Sequence, residues 1–389
     1  MSELNRLIQE LCPEGVPYRA LGEVFDIRNG YTPSKANSSF WENGTIPWFR
    51  MEDIRANGRK LSTAIQYVTS SALKGGGLFP AGSFILGTSA TIGEYARIEV
   101  DFLANQRFTI LCIKDSFKKE LASDFLFHYM HIIAEWCKQN VNSSSFSSVK
   151  MDSLKKLRIP VPPLPVQAKI AEILDKFTQL EAELEAELEA RRKQYEYYRN
   201  ELLSFDNLVK RGGVVRLMAL GEICETLTPK IKIQKQDYLS SGNYPVIDQG
   251  QTFIAGYTDA EGVYPEDEYV IFGDHTCAIK YVNFAFAQGA DGIKVLKAKE
   301  EIIKARFLYY RMKCVNIESG YSRHWTKMKS TEIPVPPLTV QAEIVAILDK
   351  FDALTNDLSK GLPAELAMRR AQYEYYRDKL LTFSEKESA

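Results

Sequence analysis

The sequence predicts an α+β protein with a pseudo-two-fold internal repeat, in which two mixed α/β domains stand at opposite ends of an antiparallel pair of long helices, an intramolecular coiled coil. Three observations predict this class. A helical segment occurs twice, its apolar residues recur every three or four positions, and the segments beside it contain short strand-like runs. The predicted boundaries are 1–158 for the first globular domain with a short N-terminal helical segment, 159–205 for the first helical region, 206–332 for the second globular domain and 333–389 for the second helical region.

The two copies of the repeated segment are nearly identical. Ile-Pro-Val-Pro-Pro-Leu begins at residues 159 and 333, Asp-Lys-Phe at 175 and 349, and Gln-Tyr-Glu-Tyr-Tyr-Arg at 194 and 372. Repetition at this length indicates two equivalent structural units. Whatever the chain binds, we therefore expect it to bind in two similar places.

Each repeat is predicted to form a long helix, because neither Gly nor Pro interrupts 166–204. The apolar stripe of the first helix is expected at Ile170, Leu174, Phe177, Leu180, Leu184, Leu188, Tyr195, Tyr198 and Leu202. The glutamates between positions 181 and 189 are expected to be solvated. Such a stripe needs a partner, and the second repeat is the obvious candidate. Because the ends of a compact domain often lie close together, the second helix is expected to run back antiparallel to the first.

Two local features modify the helices. Leu180–Glu187 contains two tandem Leu-Glu-Ala-Glu units, and each unit lengthens a helix by roughly 6 Å while nearly preserving its buried face. This run is either a plain helix-forming stretch or a length adjuster. In the second helix, Gly361-Leu362-Pro363 predicts a break or a sharp kink, since Gly ends helices and Pro suits a first turn.

The globular segments are predicted to be mixed in secondary structure. The predicted strands include Phe84–Leu86, Phe108–Ile113, Tyr269–Phe272 and Ile293–Leu296, and each domain is expected to end in a helix, at 122–139 and 302–314. The two domains align only weakly, as at Ala20-Leu21-Gly22-Glu23 and Ala219-Leu220-Gly221-Glu222. Divergent domains beside near-identical helices indicate one fold adapted to two targets.

Composition places the chain among ordinary globular proteins, with 45% hydrophobic and 25% charged residues. No run of 18 apolar residues is present, which argues against a membrane helix, and the first residues lack the apolar core of a signal peptide. The six cysteines have neither metal-site nor disulfide-framework spacing, which is typical of reduced thiols. We therefore expect a cytoplasmic protein.

The net charge of −1 hides an uneven distribution. Residues 16–158 hold 18 Lys/Arg against 13 Asp/Glu, and residues 206–332 hold 17 against 16, whereas the repeats at 159–205 and 333–389 hold 6 against 9 and 7 against 9. The globular domains are thus basic relative to the helical regions. This asymmetry favours globular domains that face an anion, with the helices left for another partner.

The sequence contains no recognisable catalytic constellation. Gly75-Gly76-Gly77 lacks the Gly-Lys-Ser/Thr ending of a phosphate loop. His128 and His131 lie in an apolar helical stretch, where core packing is the favoured interpretation. His275 and Cys277 are too few to define a metal site, so neither a metal nor a cofactor is expected in this chain.

Polar, aromatic and basic residues instead cluster in the predicted loops of both domains. Each cluster alone is typical of an ordinary solvated loop. Arg, Asn and Gln read base edges, while Ser, Thr and Lys commonly hold phosphates, so the recurrence of such clusters in both domains predicts contacts to a nucleic acid. The candidates are Arg28, Tyr31, Thr32, Ser34, Lys35, Trp48, Arg50, Ser89, Thr91, Asn105, Gln106, Arg107, Ser145, Ser147 and Lys150 in the first domain, and Lys230, Lys232, Gln249, Gln251, His275, Gln288, Arg323, His324 and Lys327 in the second.

The repeated blocks resemble the helical regions of type I restriction-modification specificity subunits. Gly30-Tyr31-Thr32-Pro33-Ser34, followed by Ile46-Pro47-Trp48, is similar to the opening of their target recognition domains. The resemblance covers essentially the whole chain. In the second domain Thr228-Pro229-Lys230 stands where Thr-Pro-Ser is expected.

The resemblance implies a non-catalytic subunit whose two target recognition domains each read one half of an asymmetric, bipartite DNA site. It further implies docking of two methyltransferase subunits, which use S-adenosylmethionine, and association through the complex with restriction subunits that use ATP and Mg²⁺. The residues that we expect to dock partners lie in the helical repeats: Gln167, Asp175, Phe177, Tyr195, Tyr198, Arg199, Gln341, Asp349, Phe351, Tyr373, Tyr376 and Arg377.

Two other classes of function compete with this interpretation. A helical scaffold whose end domains bind proteins rather than DNA would explain the duplication equally well. A duplicated enzyme would require repeated His, Cys or carboxylate constellations, which the sequence does not contain.

Overall fold

The computed structural model describes residues 3–142, 147–289, 292–316, 324–357 and 359–386. The chain divides into two compact units. Unit 1 comprises Met1–Ala182 and Met368–Ala389, and unit 2 comprises Glu183–Ala367. Each unit therefore contains one of the predicted globular domains together with part of both helical repeats.

Unit 1 alternates short strands and helices before the first long helix. Its elements are α1 (Glu3–Leu11), β1 (Tyr18–Ala20), α2 (Leu21–Val24), β2 (Phe25–Asn29), β3 (Ile46–Phe49), α3 (Met51–Asn57), β4 (Lys60–Leu61), β5 (Tyr67–Val68), β6 (Phe84–Gly87), β7 (Tyr95–Ile98), β8 (Leu103–Ala104), β9 (Phe108–Ile113), α4 (Ser123–Gln139), β10 (Val141–Asn142), β11 (Ser148–Val149), α5 (Met151–Lys156) and β12 (Arg158–Pro160). The helix α6 (Leu164–Leu202) begins in unit 1 and continues into unit 2.

The globular part of unit 1 contains two larger sheets beside the two-stranded pairs β1-β12 and β10-β11. One has the order β2-β9-β6-β7-β4 and the other the order β5-β3-β8. In the first of these sheets, β9 lies between β2 and β6, and five of its six side chains are buried, which agrees with the predicted buried strand. The helix α4 covers this sheet, and its residues Phe125, Met130 and Ile133 share a core with Phe84 and Leu111.

Unit 2 repeats this plan with fewer elements. After α6 come α7 (Phe205–Gly212), β13 (Arg216–Ala219), α8 (Leu220–Ile223), β14 (Cys224–Leu227), β15 (Tyr244–Ile247), β16 (Gly256–Thr258), β17 (Tyr269–Gly273), β18 (Ile279–Val282), β19 (Ala287–Gln288), β20 (Ile293–Ala298), α9 (Ala305–Met312), α10 (Trp325–Lys329), β21 (Glu332–Val335), α11 (Leu338–Asn356) and α12 (Leu362–Leu380), the last of which continues into unit 1.

The sheets of the two units have the same topology. The order β14-β20-β17-β18 in unit 2 corresponds to β2-β9-β6-β7 in unit 1, and β16-β15-β19 corresponds to β5-β3-β8. In both three-stranded sheets one pair is antiparallel and the other parallel. Within the described part of unit 2, no helix corresponds to α3. The two weakly similar sequences therefore encode one fold, as predicted.

Two helical predictions are confirmed, the uninterrupted first helix and the break in the second repeat. The helix α6 is uninterrupted over 39 residues, and Pro165 lies in its first turn, where a missing N–H costs nothing. The second repeat is broken at the predicted place, because α11 ends at Asn356 and α12 begins at Leu362. Gly361 lies between them, in a position where the backbone oxygens of Ala353 and Leu354 would meet any added Cβ within 3 Å.

The predicted apolar stripe of α6 is only partly correct. Ile170, Leu174 and Leu188 are buried, but the side chain of Leu180 is 46% exposed. Glu181, which was expected to be solvated, forms an ion pair with Arg370 of α12 at 2.6 Å within unit 1. At Leu180 and Glu181, α6 therefore contacts α12 through a charged pair where the sequence predicted an apolar contact.

The two ends of the chain pair with each other inside unit 1. Val16 N donates to Ser384 O, and Lys386 N donates to Val16 O, both at 2.9 Å. Arg158 forms an ion pair with Glu385 at 2.6 Å. The last residues of the second repeat thus complete the first globular domain.

Candidate nucleic-acid interface

Five strand ends meet at one edge of unit 1. The strands β2, β3, β6 and β8 end there, and β9 begins there. Backbone hydrogen bonds join the loops that follow these strands: Tyr31 N donates to Ala104 O at 2.7 Å, and Thr88 N donates to Arg107 O at 3.2 Å. Polar loops that are far apart in the sequence are therefore brought side by side.

These loops enclose a cleft of about 270 Å³. Seven predicted DNA-contact residues line it, namely Thr32, Lys35, Trp48, Arg50, Asn105, Gln106 and Arg107. The sequence did not single out the other lining residues, Met51, Glu52 and Phe108. The lining holds three cationic side chains and one carboxylate, so it suits a polyanionic ligand.

Arg50 is the most recessed cation of the cleft, with a side chain that is 22% exposed, whereas Lys35 and Arg107 are exposed. Its backbone N–H donates to Asp53 Oδ2 at 2.7 Å, and this buried carboxylate also accepts from Ile65 N at 2.6 Å. The Arg50 Nε is buried and has no hydrogen-bond partner in the described part of the chain. The guanidinium lies 5.7 Å from the centroid of the Trp48 ring, and the Nε is 3.9 Å from the Glu52 carboxylate, beyond hydrogen-bond distance.

Trp48 and Tyr31 support the cleft from beneath. The indole of Trp48 is 1% exposed and donates to Tyr31 O at 2.9 Å. The Tyr31 hydroxyl donates to Ala72 O at 3.1 Å, and Lys74 lies over the Tyr31 ring. Burial leaves Trp48 little surface for a ligand, so we assign it a positioning role rather than a contact.

Arg28 and Ser34 also fix loops around the cleft. Arg28 donates to Gly76 O at 3.1 Å and lies over the Phe79 ring at 4.7 Å. Ser34 O accepts from the Trp41 indole at 3.0 Å. Thr32 donates to the side-chain oxygen of Gln106, which orients the Gln106 amide at the cleft wall.

The remaining candidates of unit 1 extend the surface away from the cleft. Ser89 pairs with Ser148 in an isolated bridge, and Ala90 N donates to Ser147 O at 3.4 Å. Thr91 is partly buried, and Lys150 and Ser147 are exposed. Ser145 lies outside the described residues.

The corresponding edge of unit 2 is built by the same hydrogen bonds. Ile233 N donates to Gln288 O at 2.9 Å, as Tyr31 N does to Ala104 O. Asp274 N donates to Gly292 O at 2.6 Å, as Thr88 N does to Arg107 O. The two edges are therefore equivalent positions on one fold.

The candidates of unit 2 differ in exposure. Lys230, Lys232, Gln251 and Lys327 are exposed, while Gln249 and His275 are partly buried. Gln288 and His324 are 4% and 5% exposed, so they support the surface rather than reach a ligand. Arg323 lies outside the described residues.

Sequence reasoning missed two residues of this edge, Asp248 and Lys280. Lys280 is buried, and its ammonium donates to the backbone oxygens of Asp248 at 2.8 Å and Thr252 at 2.6 Å. Burial lowers the pKa of Lys280, an effect that the nearby Asp248 carboxylate opposes. Lys280 reads as an ordinary strand residue in the sequence, so only the fold could reveal that it holds the 248–252 loop.

Among the predicted docking residues, Gln167 and Gln341 are fully buried. Gln167 Nε2 donates to Glu120 O and Pro162 O, and its Oε1 accepts from Ala122 N at 2.8 Å. Gln341 makes the same three bonds with Ile302 O, Pro336 O and Lys304 N. These amides are unavailable to a partner, and we assign them the structural role of anchoring each globular domain to its helix.

Asp175 and Asp349 have equivalent but chemically different partners. Asp175 accepts from His128 at 3.1 Å and lies 3.5 Å from Lys60. Asp349 accepts from the Tyr310 hydroxyl at 2.6 Å and pairs with Arg306 at 2.7 Å. Burial disfavours the charge of Arg306, but the hydrogen bond to Asp349 and the nearby Tyr310, Asp349 and Asp352 together outweigh burial and raise the pKa of Arg306.

The aromatic docking candidates pack between repeats within each unit. In unit 1, Phe177 of the first repeat contacts Tyr373 and Tyr376 of the second. In unit 2, Phe351 of the second repeat contacts Tyr195 and Tyr198 of the first.

Part of this aromatic surface remains open. Tyr198 and Tyr376 stay 40% and 36% exposed, while Tyr195 is buried. Arg199 and Arg377 lie over the rings of Tyr195 and Tyr373, each at 5.6 Å. Tyr198 and Tyr376 are the exposed rings of this set, whereas Arg199 is partly buried and the side chain of Arg377 is only 12% exposed.

Within the described ranges, no group of three or more His, Cys, Asp or Glu side chains is placed to hold a metal ion. No helix formed by these residues is long and apolar enough to cross a membrane. His128 lies in the core and His131 is partly buried, in agreement with the packing interpretation.

Comparison with known proteins points to one family. A family model described as the type I restriction modification DNA specificity domain matches residues 13–190 and 215–368. The chain is 38% identical over 392 residues to the type I restriction enzyme EcoprrI specificity subunit of Escherichia coli. The alignment covers 92% of this chain and 93% of that protein.

Two solved structures share the fold. The type I restriction-modification S subunit from M. genitalium superposes with a TM-score of 0.57 at 16% identity, over 94% of this chain and 96% of that one. A structure concerned with complex assembly and conformational transition of the type I R-M system gives a TM-score of 0.61 at 18% identity, over 95% and 98%.

Proposed function

This chain belongs to the specificity subunits of type I restriction-modification systems, which are non-catalytic, and on that premise we propose that its two units each read one half of a bipartite, asymmetric double-stranded DNA site. Subunits of this kind bind DNA and assemble with modification and restriction subunits. Each unit reads its half-site with the loops at the strand-end edge of its sheets.

The cleft of unit 1 carries this proposal. It gathers Lys35, Arg50, Gln106 and Arg107 from three separate stretches of sequence onto one concave surface. The exposed cations Lys35 and Arg107 suit phosphates, while the Gln106 amide and the recessed Arg50 guanidinium suit base edges. The equivalent edge of unit 2 offers Lys230, Lys232 and Gln251 for the second half-site.

The helical repeats supply the assembly surface in this proposal. Two methyltransferase subunits dock on them, one for each repeat, and restriction subunits join through the complex. The methyltransferases supply S-adenosylmethionine chemistry, and the restriction subunits supply ATP- and Mg²⁺-dependent chemistry. The exposed rings of Tyr198 and Tyr376, with the partly buried Arg199 near the first, are the proposed contacts.

Binding to duplex DNA at several salt concentrations tests the proposal. Phosphate contacts release counterions, so the affinity of the full chain with its methyltransferase partner should fall steeply as salt rises. Mapping methylated adenines in cells that carry the assembly should then give one bipartite motif. A salt-independent affinity and a methylome without such a motif would favour the protein scaffold instead.

A further inference from the structure

The two recognition edges carry opposite charges at one equivalent position. In unit 1, β3 pairs with β8 in parallel, with Phe49 opposite Ala104. In unit 2, β15 pairs with β19 in parallel, with Ile247 opposite Gln288. Arg50 follows Phe49, and the aspartate at 248 follows Ile247, so these two residues occupy the same place after the same strand.

Further hydrogen bonds confirm the register. Asn105 N donates to Phe49 O at 3.0 Å, and Gly289 N donates to Ile247 O at 2.8 Å. Each bond joins the loop after β8 or β19 to the residue that precedes Arg50 or Asp248. The equivalence of Arg50 and Asp248 therefore follows from backbone pairing on both sides.

The environment of Arg50 separates it from the other cations of its cleft. Phosphates lie on the outside of a duplex, where exposed side chains such as Lys35 and Arg107 can reach them. Arg50 is recessed, its backbone is fixed by the buried Asp53, and its Nε lies 3.9 Å from the Glu52 carboxylate without a hydrogen bond within the described residues. A recessed planar fork of donors suits a base edge better than a phosphate.

Asp248 is also held in place, but it presents an acceptor. Its Oδ1 accepts from Gly250 N at 2.8 Å, and its side chain is 23% exposed. Lys280 lies 3.9 Å from the carboxylate but directs its hydrogen bonds to backbone oxygens. The carboxylate therefore retains capacity to accept from a ligand.

At a second equivalent position, unit 1 again has a cationic side chain and unit 2 does not. Arg107 of unit 1 corresponds to Gly292 of unit 2, because their backbone oxygens accept from Thr88 N and Asp274 N. At Gly292, φ is +101°, and an added Cβ would lie 2.7 Å from the Gln249 amide. The side-chain space that holds a cation in unit 1 is thus closed in unit 2.

We propose that Arg50 reads a guanine in the first half-site and that Asp248, at the equivalent position, reads a cytosine in the second. Arg50 donates to the guanine O6 and N7 acceptors, and Asp248 accepts from the cytosine N4 amino group. This inference rests on the proposed function, and it adds which base each unit selects at one position.

The test uses the full chain assembled with its methyltransferase partner and a library of randomised duplex DNA. Sequencing the bound duplexes gives the base preference of each half-site. In Arg50→Gln, discrimination for guanine at one position of the first half-site should fall by about 5- to 150-fold and shift toward adenine, with the second half-site unchanged. In Asp248→Asn, one position of the second half-site should shift from cytosine toward adenine, with the first half-site unchanged.

Two further variants separate base reading from general effects. Arg55→Gln removes a charge from the exposed face of α3 outside the cleft and should leave both half-sites unchanged. Arg50→Lys keeps the charge and should retain guanine with weaker discrimination, which decides the matter if Arg50→Gln fails to assemble.

Uniform weakening would overturn the assignment of Arg50. If Arg50→Gln lowers affinity equally for all sequences and reduces the salt slope by about one, Arg50 contacts a phosphate. If Asp248→Asn leaves the second half-site unchanged, the cytosine assignment is wrong. Failure of the wild-type assembly to select any sequence would instead contradict the proposed function itself.

Discussion

The Phe177 ring stacks on the Tyr376 ring with centroids 5.5 Å apart and planes 23° apart. Phe177 belongs to the first repeat and Tyr376 to the second. The reverse pair, Phe351 of the second repeat and Tyr198 of the first, has nearly the same geometry, at 5.7 Å and 27°. The Asp-Lys-Phe block of each repeat therefore packs on the tyrosine block of the other, so the two copies must match each other as well as any partner.

We predict that two methyltransferase chains bind each copy of this protein, because the helical blocks occur twice. Light scattering on the purified complex should give the corresponding mass. Replacing both Tyr198 and Tyr376 with serine should weaken assembly if their exposed rings form contacts. A stable one-to-one complex at saturating partner would contradict the prediction.

The tandem Leu-Glu-Ala-Glu run predicts a change in half-site spacing. Deleting residues 184–187 should shorten α6 by roughly 6 Å and rotate the rest of the helix by about 40°. Glu183 would then stand four residues before Arg191 and replace Glu187, which now pairs with it at 2.7 Å.

Methylome mapping of this deletion should give the same two half-sites with a spacer shorter by about one or two base pairs, since bases along one strand are roughly 3.4 Å apart. An unchanged spacer would show that the run does not measure DNA. A change within either half-site would argue against independent recognition units.

Exchange of a recognition domain should alter half of the target. If residues 16–158 are replaced by the first domain of another family member, only one half-site should change, because the domains diverge while the helical repeats are nearly identical. Methylome sequencing measures both halves together. Simultaneous changes in both would count against modular reading.

The buried amide of Gln167 should contribute strongly to the stability of unit 1. In Gln167→Leu three backbone groups lose their partner, which should lower the free energy of unfolding by roughly 2–5 kcal/mol. Urea denaturation followed by tryptophan fluorescence suits this test, because three of the four tryptophans lie in unit 1. The control variant Gln139→Leu, at the exposed end of α4, should change the free energy of unfolding little.

Stability should fall at mildly acidic pH through His128. Burial lowers its pKa, although Asp175 opposes the shift. The unfolded chain therefore takes up a proton first as the pH falls below about 6.5, and stability decreases from that point downward. His128→Tyr, which copies Tyr310 of unit 2, should weaken this dependence between pH 5 and 7.

The pH dependence of stability that remains in His128→Tyr should come in part from His131, because burial also lowers the pKa of His131. Unfolding free energies measured at several pH values check both statements. A steeper acid loss in the variant than in the wild type would show that the folded state favours the protonated imidazole of His128.

Sequence periodicity determined the features that depend on neighbours along the chain. The continuous helix α6, the break before Pro363 and the buried strand β9 all follow from local spacing and from Gly and Pro. The resemblance of the repeated blocks also gave the family, because the blocks are long and occur twice.

Only the tertiary structure decided which polar and aromatic residues are buried supports and which are exposed at the surface. Gln167 and Trp48 look like surface or loop residues in the sequence, yet both are buried, because the backbone groups they satisfy come from distant segments. The equivalence of Arg50 and Asp248 is likewise invisible in weakly aligned loops. It depends on long-range pairing of short parallel strands, which sets register through hydrogen bonds rather than through local sequence.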